Sequence, residues 1–251
     1  MIQVKELTKI FKDRKRGEVR AVDGISFECK PGRIFGLLGP NGAGKTTILR
    51  ILSTILRPTS GTALINGADV VEDPLKARRQ IGFLSCDTKL YGRLTPREMV
   101  FYFGRLYGMD EDTIARRAEE IFQLFGMKDF IHRRNDRLSS GMQQKVSIAR
   151  TIIHDPPVMV LDEPTFGLDI MASRAVIQFI RKCREEGKTV ILSSHVMAVA
   201  EKLCDEIAII HRGRILATGT LKEHQERTGK EDLEEIFVHL VGEENGANIG
   251  H

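Results

Sequence analysis

Gly39, Pro40, Asn41, Gly42, Ala43, Gly44, Lys45 and Thr46 stand between a wholly apolar pentad and an amphipathic segment. Upstream, Ile34-Phe-Gly-Leu-Leu38 carries no polar side chain, as expected of a strand buried on both faces. Downstream, Ile48, Ile51, Leu52 and Ile55 recur at the spacing of a helix with one buried face, and Pro58 is expected to end it. Between strand and helix, Gly-x-x-x-x-Gly-Lys-Thr is a phosphate-binding pattern. Its glycines let backbone N–H groups turn inward around phosphate oxygens without a Cβ in the way, and the helix points its positive end at the same place. Lys45 is predicted to reach the β- and γ-phosphates of a nucleotide and Thr46 to offer its hydroxyl to Mg²⁺. Thr47 belongs to the same predicted site.

The chain of 251 residues suits one α/β domain with a sizeable core. Lys and Arg number 38 against 34 Asp and Glu, and the surplus of +4 is too small to imply a polyanion partner by itself. Cys29, Cys86, Cys183 and Cys204 are scattered with no Cys-x-x-Cys pair, so they read as reduced thiols and not as a disulfide framework or metal cage. The opening residues show no apolar secretion segment. The longest uncharged stretch, 189–200, is interrupted by Ser193, Ser194 and His195, and falls short of the ~20 apolar residues a membrane span needs. Membrane association is therefore expected to come through a partner chain.

Residues 2–5 and 25–28 alternate as half-buried strands do, with a basic solvated hairpin tip at 12–18 between them. Residues 62–68 read as a short strand with an Asn-Gly turn. From 87 to 155 the pattern is helical, clearest over 97–107 and 113–125. Strands at 158–161, 189–192 and 207–211 then alternate with helices at 173–186 and 196–203, which implies a parallel sheet covered on both faces. A last helix at 233–240 and a fraying polar tail are expected at the end.

The strand at 158–161 runs into Asp162 and Glu163, placing two carboxylates at the sheet edge where ligands of open α/β sheets bind. Asp162 can hold Mg²⁺ through water, and Glu163 can act as the base that orients the attacking water. Upstream, Ser139 and Ser140 of Leu138-Ser-Ser-Gly-Met-Gln-Gln144 can cap a helix starting near Met142, presenting N–H groups to an anion.

That segment resembles the Leu-Ser-Gly-Gly-Gln signature of ATP-binding-cassette (ABC) nucleotide-binding domains, with Ser140 in place of the first glycine. The resemblance runs from about Ile2 to Gly219 with the motifs in the family's order. It implies an α/β P-loop NTPase core of ABC type with an N-terminal antiparallel β subdomain and an inserted helical subdomain. The implied layout is a single domain over 1–242: β subdomain and ATP-binding core in 1–86 and 156–220, helical subdomain in 87–155, C-terminal helix in 221–242, then a flexible tail at 243–251. Phe11 matches the aromatic that stacks on adenine, with a core Phe as the competing reading. Phe166-Gly-Leu-Asp169 matches the D-loop, and His195 stands at the switch histidine. One departure falls at Cys86, where the family usually carries a glutamine that contacts Mg²⁺ and water; neither Cys86 nor Asp87 is counted in the predicted site.

The segments beginning Leu90-Tyr-Gly-Arg and Tyr102-Phe-Gly-Arg look like ATPase subunits of bacterial sodium-efflux and ABC-2-type exporters. The family resemblance thus implies an Mg²⁺-dependent ATPase working as a head-to-tail dimer, most simply a homodimer. Ser139 and Gly141 of one copy would cover ATP on the loop of the other. A separate transmembrane permease would dock near residues 86–100, keeping the chain peripheral on the cytoplasmic side. Nucleic acid is not an expected partner, because the long coiled-coil insertion of DNA-repair relatives and the second cassette of translation factors are both missing. A non-hydrolysing ATP sensor is a third reading, which Glu163 and His195 oppose and Cys86 leaves open. A GTPase is disfavoured for want of an Asn-Lys-x-Asp motif.

Overall fold

The computed structural model describes residues 1–13, 17–85 and 89–248. An antiparallel hairpin of β1 (Ile2–Asp13) and β2 (Gly17–Cys29) opens the chain. Next come β3 (Ile34–Leu38), α1 (Lys45–Leu52), β4 (Ser60–Ile65) and the two-residue β5 (Ala68–Asp69). Strands β2-β1-β4-β5 form a four-stranded sheet. Asn66 and Gly67 turn β4 into β5 with φ of 46° and 82°, the left-handed pair that a tight two-residue hairpin requires.

Two elements not foreseen from sequence follow, α2 (Pro74–Arg79) and β6 (Ile81–Leu84). Then α3 (Pro96–Leu106), α4 (Glu111–Leu124) and α5 (Ser140–Ile152) form the helical stretch. The chain returns through β7 (Val158–Asp162), α6 (Ile170–Glu185), β8 (Thr189–Ser194), α7 (Met197–Leu203) and β9 (Glu206–His211). It ends with β10 (Arg214–Gly219), α8 (Leu221–Thr228) and α9 (Leu233–Asn248). The second sheet has six strands in the order β10-β9-β3-β8-β7-β6, parallel except for β10 against β9.

Alternation along β3 explains its uninterrupted apolar run. Phe35 and Leu37 pack with Ile48 and Leu49 of α1 and Ile2 and Val22 of the antiparallel sheet. Ile34 points to the opposite face, among Val176, Phe179 and Ile180 of α6, while Leu38 meets Leu233 and Ile236 of α9. Both faces being covered, the strand has no position for a polar side chain. The parallel strands end together, so the residues after β3, β7 and β8 meet at one carboxyl edge.

Three boundaries differ from the sequence expectation. Helix α1 stops at Leu52, before Pro58: Thr54 adopts φ 59°, its N–H reaches the Ile51 carbonyl and that of Ile55 reaches Arg50, a Schellman closure. Ile55 is consequently off the helix and 61% exposed. Helix α6 starts at Ile170 because the Asp169 carboxylate accepts the Ala172 N–H at 2.9 Å. Helix α9 continues to Asn248, so helix and not tail occupies 243–248, and Glu244 meets His211 at 2.6 Å. Cys86 and Asp87 lie outside the described residues, as do 14–16 of the basic segment.

Helix α3 begins with a capping box between Thr95 and Glu98, and its C-cap Tyr107 stacks on His154 with ring centroids 3.5 Å apart. His154 Nε2 lies 3.2 Å from the Ile81 carbonyl of β6, so the ring joins the helical stretch to the sheet edge. Burial pushes the His154 imidazole down to about 4. The unfolded chain then binds the proton more tightly, so this contribution to stability is complete above pH ~6.5 and is lost as pH falls toward 4, by about 3 kcal/mol at most. Urea unfolding at pH 7 and pH 4.5 should show this loss. His154→Phe, which keeps a ring and removes the titration, should flatten it; an unchanged pH slope would place the acid sensitivity elsewhere.

Candidate active site

The loop after β3 is held where only glycine fits. A Cβ on Gly39 would stand 2.1 Å from the Ile210 carbonyl oxygen, and one on Gly44, at φ 109°, 2.4 Å from that of Ala21. Backbone bonds tie the loop to its surroundings: Gly213 N–H donates to Ala43 O and Asp23 N–H to Gly213 O, each at 2.9 Å. Residues Pro40 through Thr47 then line a cleft of about 350 Å³ with Ala21, Glu163, Phe166 and His195. Gly39 sits behind this wall, against β9. The Lys45 ammonium donates to the Gly39 carbonyl at 2.6 Å and the Pro40 carbonyl at 3.1 Å, and lies 3.7 Å from Glu163 Oε1. Burial lowers the Lys45 pKa, against the opposing pull of the Glu163 and Asp162 carboxylates.

Asp162, at the end of β7, is 1% exposed. Its Oδ1 accepts the Thr46 hydroxyl at 3.1 Å and the Ser193 hydroxyl at 2.7 Å. Its Oδ2 is buried with no hydrogen-bond partner among the described residues. An unpaired carboxylate oxygen beside a threonine hydroxyl is a donor set suited to a hard divalent cation. Glu163 follows at φ 47°, a left-handed conformation that turns its side chain out of the strand and into the cleft. Glu163 Oε2 lies 2.9 Å from His195 Nδ1, close enough for an ion pair when the imidazole is protonated, although the two are not aligned as a hydrogen bond.

Of the predicted site residues, Pro40 to Thr47, Glu163 and His195 line one cleft, and Asp162 lies buried beside it, bonded to Thr46. Phe11 is not in its lining; it lies on the β1–β2 hairpin, 39% exposed, with the Lys9 ammonium 5.2 Å from the ring centroid. Ser139 and Gly141 line a different depression, shared with Asp169, Met171 and Ala172. Ser139 alone is the N-cap of α5, accepting the Met142 N–H at 3.3 Å, while Ser140 is already helical. Ala21, Phe166 and Ser193 were not among the predicted site residues. Phe166 had a signal in its D-loop motif, whereas Ser193 reaches the site only through the register of β7 on β8, and Ala21 only through the packing of its backbone against Gly44 and Gly213.

The sequence matches the ABC transporter family over residues 22–166. The ABC transporter ATP-binding protein NatA of Bacillus subtilis (strain 168) is 41% identical over 239 residues, 95% of this chain and 97% of NatA. A solved ATP-binding subunit of an ABC transporter superposes with a TM-score of 0.86 at 30% identity, covering 96% of this chain and 99% of that one. The dimeric, post-hydrolysis structure of an ATP-binding cassette bound to ADP and Pi superposes with a TM-score of 0.79 at 28% identity, covering 88% of this chain and 98% of that one. The match over 22–166 takes in the phosphate loop, Ser139, Gly141, Asp162 and Glu163, and the chain belongs to the ABC transporter family as one of its ATP-binding subunits.

Proposed function

We propose that ATP bound at the Lys45 cleft closes two copies of this chain head to tail, and that hydrolysis releases them, driving export of an ion or small molecule through a separate membrane chain. The observation that carries the reading is the division of the motifs. The phosphate loop, Glu163 and His195 share one cleft, while Ser139 and Gly141 face another, so each chain presents two half-sites. The similarity to a cassette solved as a dimer with ADP and Pi supports it.

In this reading Lys45 and the loop N–H groups bind the β- and γ-phosphates. Glu163 orients and deprotonates the attacking water, and His195 contacts the γ-phosphate. Phe11 stacks on adenine from the hairpin, and Asp169 joins the two copies beside Ser139 and Gly141. Thr46 and Asp162 would hold Mg²⁺, directly or through water. No group of three or more His, Cys, Asp or Glu suited to a metal occurs among the described residues, so phosphate oxygens and water would complete its shell. When bound, it neutralises charge on the phosphates.

Among the described residues no helix is long and apolar enough to cross a membrane, which fits a cytoplasmic subunit held peripherally by its permease. We propose this docking near residues 86–100; the end of α3 supplies Phe103 and Tyr107 to a groove shared with Ile55 and Phe83. The export direction rests on the segments beginning at Leu90 and Tyr102, and the single domain over 1–242 belongs to the same proposal.

Lys45→Ala tests the nucleotide assignment. Removing the ammonium should weaken binding of a fluorescent ATP analogue by about tenfold or more, as expected for a charge-assisted contact to phosphate. Unchanged affinity would count against the loop as the phosphate site.

A further inference from the structure

Ser193, the penultimate residue of β8, stands directly opposite Asp162 of β7 in the parallel register, and it is 0% exposed. Its hydroxyl donates to Asp162 Oδ1 at 2.7 Å and accepts the Glu163 N–H at 2.9 Å. We infer that Ser193 is a positioning residue for the phosphate chemistry, setting the Asp162 carboxylate and the Glu163 backbone relative to one another; this rests on the ATPase reading above.

A serine hydroxyl has one proton to give and lone pairs to receive with. Here the proton goes to Asp162 and a lone pair takes the Glu163 N–H. With Thr46 also donating to Oδ1, that oxygen is doubly engaged, and the free buried oxygen of Asp162 is Oδ2. The carboxylate is thereby held in one orientation. The second bond acts on the backbone. Glu163 stands at φ 47°, a region non-glycine residues occupy only when their surroundings hold them there. The bond from its N–H to Ser193 is a restraint on that turn. His195 lies two residues further on, so the end of β8 anchors the Asp162–Glu163 pair and carries the histidine beside it.

Alanine at 193 removes one oxygen from a packed site and leaves the Glu163 N–H without this partner. The measurements are binding of a fluorescent ATP analogue in EDTA and across a Mg²⁺ titration, steady-state kcat and KM, and thermal melting. Side chains that hold a metal-binding carboxylate change metal affinity or activity by about 10–100-fold when removed. For Ser193→Ala the expectation is therefore unchanged affinity in EDTA, a half-saturating Mg²⁺ concentration raised about tenfold, and kcat lowered about 10–100-fold. Ser193→Thr, which keeps the hydroxyl, should restore most of both.

Wild-type Mg²⁺ dependence and kcat in Ser193→Ala would overturn the inference. So would an equal loss of affinity in EDTA and in Mg²⁺ with a lowered melting temperature, since that is the mark of packing alone. If threonine is too bulky to fold, the alanine Mg²⁺ titration decides. A wild-type protein that binds nucleotide and hydrolyses it, with an indistinguishable alanine variant, refutes Ser193 alone. A wild-type protein that binds no nucleotide refutes the ATPase reading and this inference together.

Discussion

Replacing Glu163 with glutamine should lower ATP turnover by about 100-fold or more while leaving nucleotide affinity within about twofold. The substitution keeps the volume of the side chain and removes its ability to take a proton. In the structure the carboxylate lies at the cleft wall with Oε1 3.7 Å from the Lys45 ammonium and Oε2 2.9 Å from His195 Nδ1. Oε1 has no hydrogen-bond partner among the described residues, so it is free to meet a water. Nucleotide binding should survive because the proposed phosphate contacts belong to the loop and Lys45. Single-turnover hydrolysis and nucleotide binding, measured on the same preparation, separate the two effects. Turnover close to that of the wild type would remove Glu163 as the base, and the attacking water would then need a different partner.

The parts of this fold legible in sequence are those where one side chain's requirement is local. Ile34–Leu38 reads as a doubly covered strand because every position is apolar, and the structure starts and ends it there. Asn66-Gly67 reads as a tight hairpin because both residues must adopt positive φ. The equivalent turn into β10 uses Arg212 and Gly213, at φ 47° and 81°, and an arginine gives no such signal. Pro58 looked like the end of α1, yet Thr54 ends it, because the closure depends on backbone bonds that no side chain announces. The capping box of Thr220 and Glu223 starts α8, a short polar helix with no apolar stripe for a linear reading to catch. Site residues divide in the same way. Gly39 to Thr46 and the Asp162–Glu163 pair lie on contiguous motifs. Ser193 joins them only through the register of β7 on β8, which a linear reading does not contain.

Mixing Lys45→Ala with Ser139→Arg subunits should restore hydrolysis that neither variant shows alone. Ser139 is exposed at the N-terminus of α5, so arginine there costs the chain a helix cap, about 1 kcal/mol, without burying a charge. A Cβ at Gly141 would stand 3.3 Å from that of Ala172 and 3.6 Å from Asp169 Oδ2, so the signature turn and the start of α6 form one surface. Beside it Ile170 is 79% exposed and Met171 73%, an apolar edge of the kind a second copy covers. If the two surfaces meet across a twofold axis, each pure variant has two damaged sites. A mixed dimer instead collects both lesions in one site and leaves the other whole. Random pairing of equal amounts then gives about one quarter of the wild-type number of intact sites. Nucleotide-dependent dimer formation, followed by size-exclusion chromatography, should recover in parallel, because the intact site alone can be closed by ATP. Hydrolysis and dimerisation that ignore the pairing would mean that Ser139 acts within its own chain. The Lys45 cleft would then be a complete site and not half of one.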